Sequence, residues 1–150
     1  MRAEPGFTLI EAACVLAIMA LLASLILPTF PRTTSQARLA GYALEVAALL
    51  KGDRNAAIRE HVMVSTLLDA EGHIVRSGAR SVAVEIPKDV SFNALLAQKC
   101  GDRIVGSTVD FFPSGASCGG VIAISRQGVG YQIRVNWLTG GVEVVATGKT

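Results

Sequence analysis

From Ala12 to Leu27 the chain runs through sixteen residues, AACVLAIMALLASLIL, without a single charge. A segment of this kind is stable only where its backbone bonds internally and its side chains are kept from water, so it is read as a helix in a membrane or an assembly. Extended back to Phe7 it holds 21 residues (27 − 7 + 1). At about 1.5 Å per residue such a helix is ~31 Å long, close to the ~30 Å of a hydrocarbon core. Pro28 and Pro31 then each remove a backbone donor and predict a kink or stop, after which Thr33, Thr34 or Ser35 can cap a restarted helix.

One residue does not belong in an ordinary anchor. Glu11 sits one turn into the apolar stretch. A carboxylate at the bilayer centre costs ~2.5–3.5 kcal/mol even on lenient scales. The helix N-terminus offsets part of that cost. An acid in such a place points to a function and to a cationic partner. A cleaved secretory signal is disfavoured, because Glu11 interrupts its apolar core and LPTFPR offers no small-x-small cleavage site.

Gly6-Phe7-Thr8-Leu9-Ile10-Glu11 resembles, without departure, the GFTLIE motif of type IV prepilins and pseudopilins. The resemblance implies that a membrane prepilin peptidase cuts between Gly6 and Phe7 and N-methylates Phe7. It implies that Glu11, fifth in the mature chain, pairs with the N-terminal amine of a neighbouring subunit during assembly. Opposite charges in a low-dielectric seam attract strongly and are costly alone, so pairing favours the correct axial register. The resemblance also sets the orientation, with the leader in the cytoplasm and the bulk outside. Arg2 is offset by Glu4, and the positive-inside rule alone does not fix it.

Past the prolines the chain is ordinary. Leu39, Tyr42, Ala43, Val46, Leu49 and Leu50 recur at helical spacing and predict an amphipathic helix from about Ser35 to Glu60. After His61 the period becomes strand-like. Strands are expected at 62–68, 74–75, 81–86, 108–112, 121–125, 131–137 and 142–146, with turns at Asp69–Gly72, Arg126–Gly128 and Thr139–Gly141. The last three strands predict an antiparallel meander. Residues 91–103 read as a loop with a helical turn at Ala94–Ala97. Trp137 and Tyr131, six apart, are expected on one strand face within the core. The fold class is α+β: a long N-terminal helix, half membrane and half amphipathic, packed on a C-terminal antiparallel β-rich domain. The organisation is a leader (1–6), a membrane or filament-core helix (7–27), its amphipathic continuation (28–60) and a β-rich domain (61–150).

Phe111-Phe112-Pro113-Ser114-Gly115, Gly119-Gly120-Val121-Ile122, Tyr131 to Val135 and Trp137-Leu-Thr-Gly140 look like the C-terminal half of the GspH/FimT-type minor pilins. Arg54-Asn-Ala-Ala-Ile-Arg59 looks like that family's end-of-helix segment. Cys100 and Cys118 have 17 residues between them. In an exported chain they can form a disulfide, worth ~3 kcal/mol in the chain-entropy model; in a reducing compartment they stay two thiols. The membrane segment favours export and the bridge.

Sites of chemistry are not expected. Gly115-Ala-Ser-Cys-Gly119 matches a nucleophile elbow in letters only, since a strand follows it and both histidines, His61 and His73, lie upstream. Neither Cys100 nor Cys118 has a plausible base. Asp69-x-Glu71-Gly72 lacks the ligands of a Ca²⁺ loop, and two isolated histidines make no zinc site. No catalytic residue, metal or cofactor is predicted.

The resemblances imply a minor pseudopilin of a type II secretion system, at or near the tip of a short periplasmic filament that drives export. Its partners are then other pseudopilins or pilins, the prepilin peptidase/methyltransferase, an inner-membrane assembly platform and membrane lipid. It is expected in the bacterial inner membrane as a single-pass subunit with a periplasmic domain. A minor type IV pilin that primes pilus assembly, or a pilin-like DNA-uptake receptor, are the alternatives. The net charge of +2 disfavours nucleic acid as a partner.

Overall fold

The computed structural model describes Gly6 and residues 8–26 and 33–148. The chain divides into two compact units, Met1–Thr33 and Thr34–Thr150.

Among its described residues the first unit holds one helix, α1 (Leu9–Ile26). The Thr8 carbonyl accepts the first helical bonds, from the N–H groups of Glu11 (3.1 Å) and Ala12 (3.3 Å). Large apolar side chains point out on every side: Leu9, Ile10, Val15, Leu16, Ile18, Met19, Leu21 and Leu22 are all exposed. A helix that is apolar all round belongs in a membrane or in the interior of an assembly. The expected break at Pro28–Pro31 falls outside the described residues.

The second unit is built on α2 (Gln36–Glu60). Ser35 is its N-cap, accepting from the Arg38 N–H at 3.3 Å, and His61 ends it in the left-handed conformation at φ 54°. Ten strands follow: β1 (Val64–Asp69), β2 (Ile74–Arg76), β3 (Ala83–Glu85), β4 (Ser91–Leu96), β5 (Lys99–Cys100), β6 (Arg103–Ile104), β7 (Thr108–Phe111), β8 (Gly120–Arg126), β9 (Val129–Val135) and β10 (Val142–Gly148). They form two four-stranded sheets, ordered β3-β2-β1-β7 and β10-β9-β8-β4, and the small hairpin β5-β6. Every described strand pair is antiparallel. The fold is α+β.

One helix serves both sheets. Leu39, Ala43, Val46, Ala47, Leu50 and Ala57 are buried against Val64, Leu68 and Val75 of the first sheet and Ile122, Ile124 and Ile133 of the second. The strands read by alternation hold their inward faces. Ile122 lies opposite Ile133, and Val144 lies opposite Ile133 on its other side, so one row faces the helix. Each fully buried Leu or Ile contributes roughly 1.5–3 kcal/mol.

Two expectations are corrected. Residues 91–96 are not a loop with a helical turn but strand β4, paired in register with β8 from Ser91↔Ser125 to Leu96↔Gly120. Their Asn, Ala and Leu residues have weak strand preference, and the sheet edge overrides it by burying Phe92. Trp137 is not core: it is 67% exposed. β9 ends at Val135, and Asn136 opens the turn, its Oδ1 accepting from the N–H groups of Leu138 (2.9 Å) and Thr139 (3.1 Å). The strand period stops there. Tyr131 is half-buried and does pack on the core.

A carboxylate is buried at the centre of the helix–sheet contact. Asp53, fully buried in α2, accepts from the Thr66 hydroxyl (2.6 Å), the Gly78 N–H (3.0 Å) and the Ser77 hydroxyl. It ties α2 to β1 and to the loop after β2. Replacing Asp53 by Ala leaves the two buried hydroxyls without their acceptor and is expected to cost about 2–5 kcal/mol, at ~1–3 kcal/mol for each buried group left unsatisfied. Chemical denaturation of the full chain in detergent, followed by circular dichroism, checks it; an Asp53→Ala chain as stable as the parent removes the network from the account of this fold.

Candidate functional site

Three of the five residues singled out from the sequence lie in or beside the first helix. Gly6 is exposed, and Phe7 lies outside the described residues. Glu11 is the acidic residue of the first turn of α1 and is exposed. Its position at the helix N-terminus is favourable for a negative charge. The described ion pairs involve Arg59, Arg103 and Arg126, not Glu11. Among the described residues, no helix is long and apolar enough to cross a membrane. The 18 described residues of α1 amount to ~27 Å, a little less than the ~30 Å of a hydrocarbon core.

The other two, Cys100 and Cys118, are joined by a disulfide with Cα atoms 5.5 Å apart. The separation is ordinary for such a bond. It ties the β5-β6 hairpin to the turn before β8, where the Cys118 N–H bonds the Asp110 carbonyl at 3.1 Å. Cys14 is a free, exposed thiol of α1.

The structure also joins groups that the sequence marked only as separate segments. Arg54, next to Asp53, donates from Nε to the carbonyls of Gly115 (3.0 Å) and Thr139 (3.1 Å). One guanidinium therefore joins the end of α2 to the Pro-Ser-Gly turn and the Leu-Thr-Gly turn, three segments far apart in sequence. Gly140 closes this contact. Its φ is +62°, and a Cβ there would collide with the Gly115 carbonyl oxygen and press on Arg54 Nε. The spacing of the turn residues was visible in the sequence; their shared partner was not.

A second clamp holds the entry to α2. Asp89 accepts from the Thr34 N–H (2.8 Å) and the Thr34 hydroxyl (2.9 Å), and pairs with Arg126 Nε at 3.0 Å. Arg126 also donates to the Thr34 carbonyl at 2.6 Å. The Thr34 backbone N–H, then its hydroxyl, hold the Asp89 carboxyl below its ordinary value of 3.8; the Arg126 charge adds to this, and partial desolvation opposes it.

The elbow-like segment is a turn. Ser117 is buried and bridges Phe111, and its hydroxyl accepts from the Gly119 N–H at 3.1 Å. β8 follows where a hydrolase needs a helix. His61 and His73 both take positive φ in turns outside it. Among the described residues, no cluster of three metal-ligating side chains occurs.

Residues 1–27 match the model of the prokaryotic N-terminal methylation motif. No curated protein sequence matches the chain. The fold is like that of the minor pseudopilin EpsH from the type 2 secretion system of Vibrio cholerae, with a TM-score of 0.58 at 11% identity, over 74% of this chain and 98% of that one. It is also like the type IV minor pilin FimU of Pseudomonas aeruginosa, with a TM-score of 0.53 at 16% identity, over 75% of this chain and 91% of that one.

Two predictions follow from the clamps. Because the Asp89 carboxyl titrates lower in the folded chain than in the unfolded one, its stabilisation is full above the ordinary carboxylate value and is lost as pH falls through the folded value. The stability difference between the parent and Asp89→Asn, measured by denaturant titration from pH 6 down to pH 2, is expected to shrink with acidity; a difference that stays constant with pH contradicts the linkage. Gly140→Ala is expected to destabilise by roughly 1–3 kcal/mol, from the positive φ and the collision together, with a matching fall in the melting temperature.

Proposed function

We propose that this type IV pilin-like chain, which joins a prepilin methylation motif to the fold of minor pilin subunits, is a minor pseudopilin of a type II secretion system. The observation that carries the reading is Glu11: one acid, one turn into a helix otherwise apolar on every side, five residues after Gly6. The matched motif covers this whole segment. In this reading the peptidase removes residues 1–6, and the amine of Phe7 is methylated. Residues 7–27 are held in the inner membrane until assembly, with the unit from Thr34 onward in the periplasm. The disulfide is in keeping with an oxidising compartment.

The physical work of the subunit is then assembly, not catalysis. In lipid, Glu11 is an uncompensated charge. Beside the N-terminal amine of a neighbour it is paired, so the energy that disfavours the free subunit favours the correctly stacked one. The apolar side chains of α1 give area to bury in the filament but no register, because they are alike all round; the acid supplies the register. Other pseudopilins, the prepilin peptidase and an inner-membrane platform are the partners this requires.

The likeness to EpsH supports the secretion reading. The likeness to FimU supports a second one, a minor type IV pilin. Deleting the gene and assaying both exoprotein release and surface pili separates them: loss of release alone agrees with the first, loss of pili alone with the second.

Glu11→Ala is expected to be cleaved and retained in the membrane yet to enter filaments about a hundredfold less or worse, because leaving one partner of a low-dielectric pair alone costs about 3–5 kcal/mol. Cross-linking of sheared filaments followed by immunodetection reads this out. Normal incorporation by the variant, or a membrane-bound chain that still begins at Met1 beside an active peptidase, removes the basis of the proposal.

A further inference from the structure

The sheet β10-β9-β8-β4 ends in a strand that nothing among the described residues pairs. Exposed edges are templates for another chain, and proteins usually blunt them with shortness, proline, lysine or a bulge. Two of the other three edges are blunted. β3 has three residues, and β7 has four with Pro113 two positions on. β4 has six residues with no proline or lysine among them, and leads into the disulfide-tied hairpin. β10 differs in its length and in the charges where it begins. It is Val-Glu-Val-Val-Ala-Thr-Gly, seven residues in unbroken register with β9 from Val142↔Val135 to Gly148↔Val129. It contains neither proline nor lysine, although Lys149 follows it in the sequence, and its one charge, Glu143, lies opposite Arg134 of its own sheet.

A row of free backbone donors and acceptors is satisfied in kind only by another backbone. What that backbone carries is indicated by charge. Where β10 begins, a hollow of about 350 Å³ is lined by Lys51, Arg54, Asn55, Gly140, Gly141 and Val142. It has two cations and no acid. Arg54 is fixed there by its bonds to Gly115 and Thr139, and Lys51 is exposed beside it.

We propose that β10 is a docking edge for an extended segment of a partner polypeptide, which adds antiparallel to it as a fifth strand and places an acidic C-terminal end over Lys51 and Arg54. Antiparallel addition continues the direction of every other pair in the sheet. It puts the C-terminal end of the incoming strand beside Val142, where the cations are. The backbone bonds supply affinity and the cations supply polarity and register. The inference concerns the second unit and does not depend on the secretion or pilus reading.

The test uses the full chain in detergent micelles and an N-acetylated peptide of alternating threonine and valine that ends in Asp-Asp. Hydrogen exchange at β10 is expected to slow on adding the peptide, with little change at β3. The same peptide ending in Lys-Lys, and the parent peptide against Lys51→Glu, are each expected to bind about tenfold more weakly, the scale of replacing an attraction by a repulsion. A peptide N-methylated at alternate amides is expected not to bind. Several results overturn the proposal: no protection of β10 at millimolar peptide, equal binding by the N-methylated peptide, equal binding by the Lys-Lys peptide, or protection of β10 that rises with protein concentration alone, which assigns the edge to a second copy of this chain.

Discussion

The second unit depends on two adjacent residues of α2 that bond in opposite directions. Asp53 reaches the first sheet through Thr66, Ser77 and Gly78, and Arg54 reaches the turns around the second through Gly115 and Thr139. Apolar packing alone permits a helix to slide or rotate on a sheet, because it is non-directional. These bonds do not permit it. A buried carboxylate with three donors and a guanidinium with two carbonyls each demand one geometry. Together they set the register of the helix between two sheets that share no strand.

That arrangement matters for a chain whose first unit has nothing of its own to fold around. α1 presents apolar side chains in all directions, and in the proposed function lipid or other subunits cover them. In the proposed function, force along the filament enters the second unit at Thr34. This is where Asp89 and Arg126 grip the backbone, through the Thr34 N–H, carbonyl and hydroxyl. A pull at Thr34 is thereby shared between the loop before β4 and the end of β8, and does not fall on the helix cap alone. The Ser35 side chain, as N-cap, contributes a single 3.3 Å bond. The clamp and the cap are neighbours in sequence but differ in strength, since charge-assisted bonds are roughly twice as strong as neutral ones.

Much of this was legible in the sequence where local chemistry decides. The stripe Leu39, Ala43, Val46, Leu49, Leu50 gave the buried face of α2, and the Gly-rich turns gave the β8-β9-β10 meander. Where tertiary partners decide, the sequence was silent or misleading. β4 has helix-forming residues and becomes a strand because β8 offers an open edge. Trp137 continues the strand period in letters but follows Asn136, whose side chain makes the turn. Asp53 in a helical run of mixed charges looks like surface; only its three donors, 13 to 25 residues away, show it to be core. The GFTLIE segment was legible as a whole because its chemistry is carried by consecutive residues and needs no fold to be recognised.

The same contrast separates the two kinds of charge in the chain. Asp53, Asp89, Arg54 and Arg126 have their partners within the second unit, so their electrostatic energy is realised when that unit folds. In the proposed function Glu11 has its partner in another molecule, so its energy is realised only when subunits meet. A paired charge holds a shape already formed, and an unpaired one in a low-dielectric place drives the next association. Cys100 and Cys118 fall on the folding side of this division, fixing the β5-β6 hairpin. The chain can then be a finished domain at one end and an unfinished one at the other. An assembly subunit requires that condition, because a protein with every charge satisfied internally has no electrostatic reason to prefer one neighbour or one register.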